Sequence, residues 1–116
     1  SDILMHVVDL SHPNYEDQIE TVNETLASLG VDQMPVLMVF NKLDLYRKNH
    51  FDDLLSEEEK ETLIRELLES LEKKYQTQVV MISARTKENL PKLREMLRAM
   101  VENEYQKRYP YKAKYW

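Results

Sequence analysis

The stretch MPVLMVFNKLD, residues 34–44, most constrains how this chain can fold. Its first part, Pro35 to Phe40, is an unbroken apolar run rich in branched and aromatic side chains, which favours a central parallel strand covered on both faces. The polar tetrad Asn41-Lys42-Leu43-Asp44 follows at once. Because ligands of open α/β sheets bind just beyond the carboxyl ends of the strands, the tetrad is predicted to lie at the binding edge of the sheet.

Two further apolar runs predict strands on either side of this one, Ile3 to Val8 and Gln78 to Ile82. Apolar residues recur at helical spacing in three other segments. The predicted helical faces are Tyr15, Ile19, Val22, Leu26 and Leu29; Leu63, Ile64, Leu67, Leu68, Leu71 and Tyr75; and Leu90, Leu93, Met96, Leu97, Met100 and Val101. Residues 45–55 have no such pattern and are predicted to form a longer connection of mixed character.

The helix ends carry recognisable signals. Asn14 is a suitable cap for the first helix, and Gly30 suits the left-handed position at its end. Ser56 and Glu59 have the spacing of a capping box at the start of the second helix. The third helix is predicted to begin near Asn89, with Pro91 tolerated in its first turn.

The resulting order, βαβαβα, predicts an α/β fold of three layers around a parallel three-stranded sheet. Right-handed crossovers make the sequential strand order the simplest one. The ends of the second and third strands then open side by side, so Asp44 and Ala84 are expected to face one site although 40 residues separate them.

Composition excludes several classes of protein. With 116 residues the chain can form one domain with a core, and without cysteine it has no disulfide or thiolate metal site. The three histidines lie apart from one another and from acidic residues at metal-ligand spacing, so no metal site is predicted. No segment resembles a signal peptide or is apolar over the roughly 20 residues that span a bilayer, and a cytoplasmic location is expected.

The single glycine, Gly30, also limits function. Loops that cradle phosphates need glycine so that backbone N–H groups can approach the ligand, and neither of the two common glycine-rich phosphate motifs is present. No residue is assigned a catalytic role. An α/β enzyme using Asp9 as an acid would lack both a nucleophile and a second acid, and a turn or cap role for Asp9 is preferred.

The last twelve residues differ from the rest of the chain, which is acidic enough to give the whole sequence a net charge of −5. The segment 105–116 combines four cations with five aromatic residues and no acid. Such a segment can stack on unpaired bases and contact phosphates. Packing of its first residues against the domain is the simpler interpretation and is preferred, because the acidic body opposes the approach of RNA.

In combination, the motifs resemble a known family. Asn41-Lys42-Leu43-Asp44 has the N-K-x-D form of GTPases, and the sequence Ser83-Ala84-x-Thr86 after the third strand resembles the last signature motif of the translation-factor class. The stretches DILMHVVDLSHPNYEDQIETVNETLASLG, MPVLMVFNKLDL and VVMISARTKENLPKL resemble the HflX family of ribosome-associated GTPases. The resemblance extends to about Val101.

The resemblance implies a guanine site. Asp44 would accept hydrogen bonds from N1–H and the 2-amino group, neither of which adenine offers, and Asn41 would brace the loop. The stem of Lys42 would lie along the base and ribose, the Ala84 amide would donate to O6, and Ser83 would help to hold the Asp44 carboxylate. Lys87 departs from the family, which often has glycine there.

The resemblance also implies that this is the second half of a P-loop-type G domain, cut from a longer protein. Residues 1–104 would be that half and residues 105–116 a basic tail. The ligand would be GTP or GDP, with Mg²⁺ held by residues absent from this chain. GTP hydrolysis and binding to the large ribosomal subunit would belong to the full-length protein, and the segment alone is predicted to be inactive.

Two expectations do not depend on the guanine site. The chain could instead be a non-enzymatic α/β interaction module that uses its sheet edge or its basic tail. Residues 3–8 are also predicted to form an exposed edge strand, apolar and without lysine or proline, through which a homodimer could form.

Overall fold

The computed structural model describes residues 3–31 and 33–108. The elements in chain order are β1 (Leu4–Asp9), α1 (Tyr15–Ser28), β2 (Val36–Asn41), α2 (Leu43–His50), α3 (Glu57–Tyr75), β3 (Gln78–Met81) and α4 (Leu90–Arg108). All three predicted strands and all three predicted helices are present, and the strand limits agree to within one residue. The α/β class is confirmed.

The strands form one parallel sheet in the order β1-β2-β3, as predicted. In this register Asp9 lies beside Asn41, and Phe40 lies beside Met81. The carboxyl ends of the three strands therefore meet at one edge, with β2 in the middle. This edge carries the tetrad.

Helices pack on both faces of the sheet, which gives the three predicted layers. One face packs against α1 and α3 around the fully buried Ile19 and Phe40. The other face packs against α4 through Met100 and its neighbours. Alternate residues of β2 point to opposite faces, so Met38 and Phe40 join the first core while Leu37 and Val39 join the second.

Four residues of the predicted helical faces are exposed instead: Val22, Leu29, Leu63 and Val101. Three strands spaced about 4.8 Å apart give a sheet only about 10 Å wide. One helix with its side chains is already about 10–12 Å across. The two helices α1 and α3, which share one face, are therefore together wider than the sheet, and the outer part of their apolar faces extends beyond it.

Two of the predicted helix ends have the expected hydrogen bonds. The Ser56 hydroxyl accepts from the Glu59 amide, and the Glu59 carboxylate accepts from the Ser56 amide. Gly30 has φ +75°, and the amides of Gly30 and Val31 donate to carbonyls of the last turn of α1. Asn14 precedes α1, but its side chain makes no capping hydrogen bond.

The predicted connection 45–55 begins with a helix that was not predicted, because α2 occupies Leu43–His50. This helix begins inside the tetrad. Tyr46 stacks on His50 with ring centroids 4.3 Å apart and meets Phe51 edge-on. Tyr46 and His50 are four residues apart and therefore lie on the same side of α2. The apolar face of this helix is too short to give a signal in the sequence.

The outermost elements bear on the remaining predictions. Helix α4 continues through Tyr105 to Arg108, and residues 109–116 of the predicted tail lie outside the described residues.

Strand β1 is an edge of the sheet, with Met5 and Val7 exposed to 46% and 54%. The homodimer through this edge stays a prediction. No helix within the described part of the chain is both long and apolar enough to span a membrane.

Candidate functional site

The tetrad is shaped by a sharp change of direction at the end of β2. Asn41 is the last strand residue, and Lys42 adopts a left-handed conformation with φ +68°. Leu43 then turns inward, fully buried, and its amide donates to the Ile82 carbonyl over 3.0 Å. Asp44 is placed in the first turn of α2. A strand, a one-residue turn and a helix start thus present the four residues at the sheet edge.

Asn41 joins the two loops that were predicted to converge. Its Oδ1 accepts from its neighbour's amide, Lys42 N, at 2.8 Å and from the Ala84 amide at 3.0 Å. The second bond spans 43 residues and ties the end of β2 to the loop after β3. The structure therefore brings the tetrad and Ala84 to one site.

The end of β1 contributes a second cross-link. Lys42 Nζ donates to Asp9 Oδ2 over 3.1 Å. The other carboxylate oxygen, Oδ1, accepts from the Ser11 amide and hydroxyl, at 2.9 and 2.6 Å. The Ser11 hydroxyl and the Lys42 ammonium lower the pKa of Asp9. Asp9 thus has the turn role predicted for it, and it also directs the Lys42 side chain.

The loop after β3 is a compact turn built on Ser83, whose side chain is buried. The Ser83 amide donates to the Glu88 carbonyl over 3.2 Å, and the Ser83 hydroxyl accepts from the Thr86 amide over 3.3 Å. Asn89 Nδ2 closes the turn by donating to the Met81 carbonyl over 2.8 Å. The predicted contact of Ser83 with the Asp44 carboxylate stays a prediction.

The backbone conformation of Lys87 bears on its departure from the family pattern, in which glycine often occupies this position. It has φ +68°, the left-handed conformation that glycine adopts without strain, and its side chain is exposed. The backbone of this turn has therefore kept the conformation that glycine favours although lysine occupies the position.

We expect Lys87→Gly to stabilise the protein by about 1 kcal/mol. The left-handed conformation costs an L-residue about 1–2 kcal/mol, and the larger entropy of glycine in the unfolded chain offsets part of the gain. Urea unfolding measures the difference. Lys73→Gly, the same change inside α3, is the control and should destabilise. A lower midpoint for Lys87→Gly would contradict the strain.

A third cross-link joins α2 to the loop after β3. Arg47 Nη1 and Nη2 donate to Glu88 Oε1 and Oε2 over 2.6 and 2.7 Å. The hydrogen bonds to Glu88 raise the pKa of Arg47, and those from Arg47 lower the pKa of Glu88. The stabilisation from this carboxylate is therefore present at neutral pH and lost on acidification through the lowered pKa.

Asp44 differs from the other charged residues of this edge. Among the residues that the structure describes, its carboxylate takes part in no hydrogen bond or ion pair. Two carboxylate oxygens of the tetrad are thus available as acceptors, and Asn41 ties the tetrad to the Ala84 amide, a donor at the same edge of the sheet. That combination suits a planar ligand edge with two adjacent N–H donors and one carbonyl.

Sequence reasoning found Asn41, Lys42, Asp44, Ser83 and Ala84 but missed Arg47 and Glu88. The sequence does indicate that Asp9 lies at this edge, because Asp9 ends a neighbouring strand. It gives no such indication for Arg47, which lies in the helix that was not predicted. Within the described residues, no group of three His, Cys, Asp or Glu side chains is placed to hold a metal ion.

Comparison with known proteins agrees with the fold. The sequence profile of the elongation factor Tu GTP binding domain matches residues 1–103. GTPase HflX of Flavobacterium psychrophilum is 35% identical over 115 residues, which cover 96% of this chain and 28% of that protein. GTPase HflX of Caldanaerobacter subterraneus is 35% identical over 86 residues, covering 69% and 20% respectively. No solved structure matches at a significant level.

The chain belongs to the GTP-binding-domain family of elongation factor Tu, because the match includes most of its length. Within this family it is an HflX-like segment of a G domain, and the predicted resemblance is confirmed. The chain spans about a quarter of the length of the curated relatives that it matches over most of its own sequence.

Proposed function

We propose that the edge formed by the tetrad and Ala84 binds the guanine base of GTP or GDP. The observation that carries the proposal is the Asn41 bridge, which ties the tetrad to the Ala84 amide while the Asp44 carboxylate has no hydrogen-bond partner among the described residues. Asp44 would accept from guanine N1–H and the 2-amino group, two charge-assisted hydrogen bonds. Adenine has no donor at either place, so one carboxylate selects the base.

The other residues would complete the contact. Guanine O6 would take the place of Asn41 Oδ1 as the acceptor of the Ala84 amide. Lys42, drawn toward Asp9, would lay its aliphatic stem along the base and ribose. The buried Ser83 would fix the turn that presents Ala84.

Binding by this chain alone should be selective and weak. Hydrogen bonds to a charged group contribute about 1.5–3 kcal/mol. Association costs at least about 4 kcal/mol in lost translational and rotational freedom, and no phosphate loop in this sequence offsets that cost. The expected dissociation constant for guanosine is therefore millimolar or weaker.

Saturation-transfer NMR with guanosine, inosine and adenosine tests the proposal. Guanosine should give the strongest transfer, inosine less because it lacks the 2-amino group, and adenosine least. Binding of guanosine should also shift the Ala84 amide resonance in a ¹H–¹⁵N spectrum of the protein. Equal transfer to guanosine and adenosine would contradict base recognition by this edge.

We propose the remaining activities for the whole protein rather than for this segment. These are GTP hydrolysis with Mg²⁺ held by residues outside the chain, association with the large ribosomal subunit, and a cytoplasmic location. The HflX resemblance supports them. In that arrangement residues 1–104 supply the base-reading half of the G domain and residues 105–116 the basic tail, and this chain itself hydrolyses no GTP.

A further inference from the structure

The Arg47–Glu88 ion pair lies outside the five residues assigned to base recognition. We propose that it positions the Asp44 carboxylate and the Ala84 amide relative to each other, and that selectivity for guanine depends on it. This inference rests on the proposed function of the edge. It concerns two positioning residues, neither of which is expected to touch the base.

The geometry of the pair fixes direction as well as distance. Two nearly equal hydrogen bonds, 2.6 and 2.7 Å, join the guanidinium nitrogens to both carboxylate oxygens. Such a fork resists rotation, whereas a single bond to an ammonium acts as a point contact. Each side chain is about one-third exposed, so solvent competes with the pair only in part.

Each partner is tied closely to one half of the base site. Arg47 follows Asp44 by three residues in α2, which places both on one side of the helix. Glu88 accepts the Ser83 amide through its backbone carbonyl, so it closes the turn that presents Ala84. A change in the ion pair is therefore transmitted to both recognition groups.

The charges of the three groups are also related. The hydrogen bonds within the pair raise the pKa of Arg47 and lower the pKa of Glu88, and the charge of Asp44 is a smaller influence that acts toward a higher pKa on both. Because Arg47 follows Asp44 by three residues, the two charged side chains are neighbours along one side of α2. Loss of Glu88 would leave Arg47 free to turn toward Asp44 and occupy the acceptor that guanine needs.

The ion pair would matter most once a base is bound. Guanine O6 would displace Asn41 Oδ1 from the Ala84 amide, which breaks the side-chain bridge between the tetrad and the loop after β3. The Arg47–Glu88 fork involves neither Asn41 nor Ala84. Among the described residues, it would then be the remaining side-chain link between α2 and the loop after β3.

Glu88→Gln tests this role in the chain as it stands. Titrations with GMP and AMP, followed by ¹H–¹⁵N spectra, give the ratio of the two initial binding slopes. We expect the GMP slope to fall about tenfold, equivalent to about 1.4 kcal/mol, while the AMP slope stays the same. Arg47→Lys, which keeps the charge and loses the fork, should give a smaller fall.

Glu16→Gln is the matched control, because Glu16 pairs with Lys74 between α1 and α3, outside the base site. A merely structural ion pair would lower the melting temperature in either variant and leave the GMP/AMP ratio unchanged. An unchanged ratio in folded Glu88→Gln, or an equal fall in Glu16→Gln, would overturn the positioning role.

The two proposals fail in different ways. If the unmodified chain shows no preference for GMP, the proposed function is wrong and this inference falls with it. If the unmodified chain prefers GMP and Glu88→Gln does so equally, only the inference is wrong. Should Glu88→Gln not fold, as judged by loss of spectral dispersion, the ratio in Arg47→Lys decides, and an unchanged ratio there rejects the role.

Discussion

Asp44→Asn is expected to move the base preference of the chain from guanine to xanthine. The variant side chain keeps one oxygen that can accept from N1–H, but its amide donates where the guanine 2-amino group also donates. Xanthine carries an oxygen at that position and accepts the bond. Losing a charge-assisted pair of about 1.5–3 kcal/mol should weaken guanosine binding by about 10- to 100-fold.

The measurement is a saturation-transfer experiment with guanosine and xanthosine present together, so that the signal ratio needs no absolute affinity. Asp53→Asn is the matched control, because Asp53 is exposed in the loop between α2 and α3 and should leave the ratio unchanged. If Asp44→Asn retains the guanosine preference, Asp44 does not read the base.

Phe40→Ala is expected to destabilise the protein by about 3–5 kcal/mol, a large part of the total stability of a domain of this size. Phe40 has no exposed surface and lies on the central strand. Its ring meets Tyr15 edge-on at 6.0 Å between centroids, within the core that α1 and α3 share. Removing the ring leaves a cavity that the rigid strand cannot collapse to fill.

Urea unfolding measured by circular dichroism gives the size of the loss. Phe40→Leu should cost clearly less, because it keeps most of the buried volume. Leu54→Ala changes a side chain that is 91% exposed and should shift the free energy by less than about 0.5 kcal/mol. A loss below about 1 kcal/mol in Phe40→Ala would show that the core is not centred on β2.

Sequence patterns predicted the framework well because each element carries its own local signal. β2 is an uninterrupted apolar run, Ser56 and Glu59 form a capping box three residues apart, and Gly30 is the only glycine. The interactions that these signals describe are between residues near in sequence. Parallel pairing of the strands then followed from the alternation with helices.

Helix α2 was missed because it lacks those signals. Its N-cap residue is Lys42, which has a left-handed conformation. The residues that usually cap a helix with their side chains are Ser, Thr, Asp and Asn. Only Leu43 of its eight residues is buried. Its position is fixed by contacts with distant residues, among them the bond from the Leu43 amide to the Ile82 carbonyl. Local propensity does not contain that information.

The same distinction applies to the candidate site. The five predicted residues were identified by their motifs, and the sheet topology was enough to place Asp44 and Ala84 at one edge. The links that hold them there join residues 33 to 43 positions apart: Lys42 with Asp9, Asn41 with Ala84, and Arg47 with Glu88. No spacing rule in one sequence predicts which side chains will meet over such separations.

Because α2 starts inside the tetrad, the spacing of residues there determines the direction of each side chain around the helix axis. Each residue added to an α-helix turns the following side chains by about 100° around the axis. One residue inserted between Leu43 and Asp44 would rotate the Asp44 carboxylate around the axis of α2, and it would rotate Arg47 away from Glu88 together with it. Length changes in the loop that follows Phe51 would leave this angular register intact. The directions of Asp44 and Arg47 are thus set by how many residues separate each of them from the end of β2.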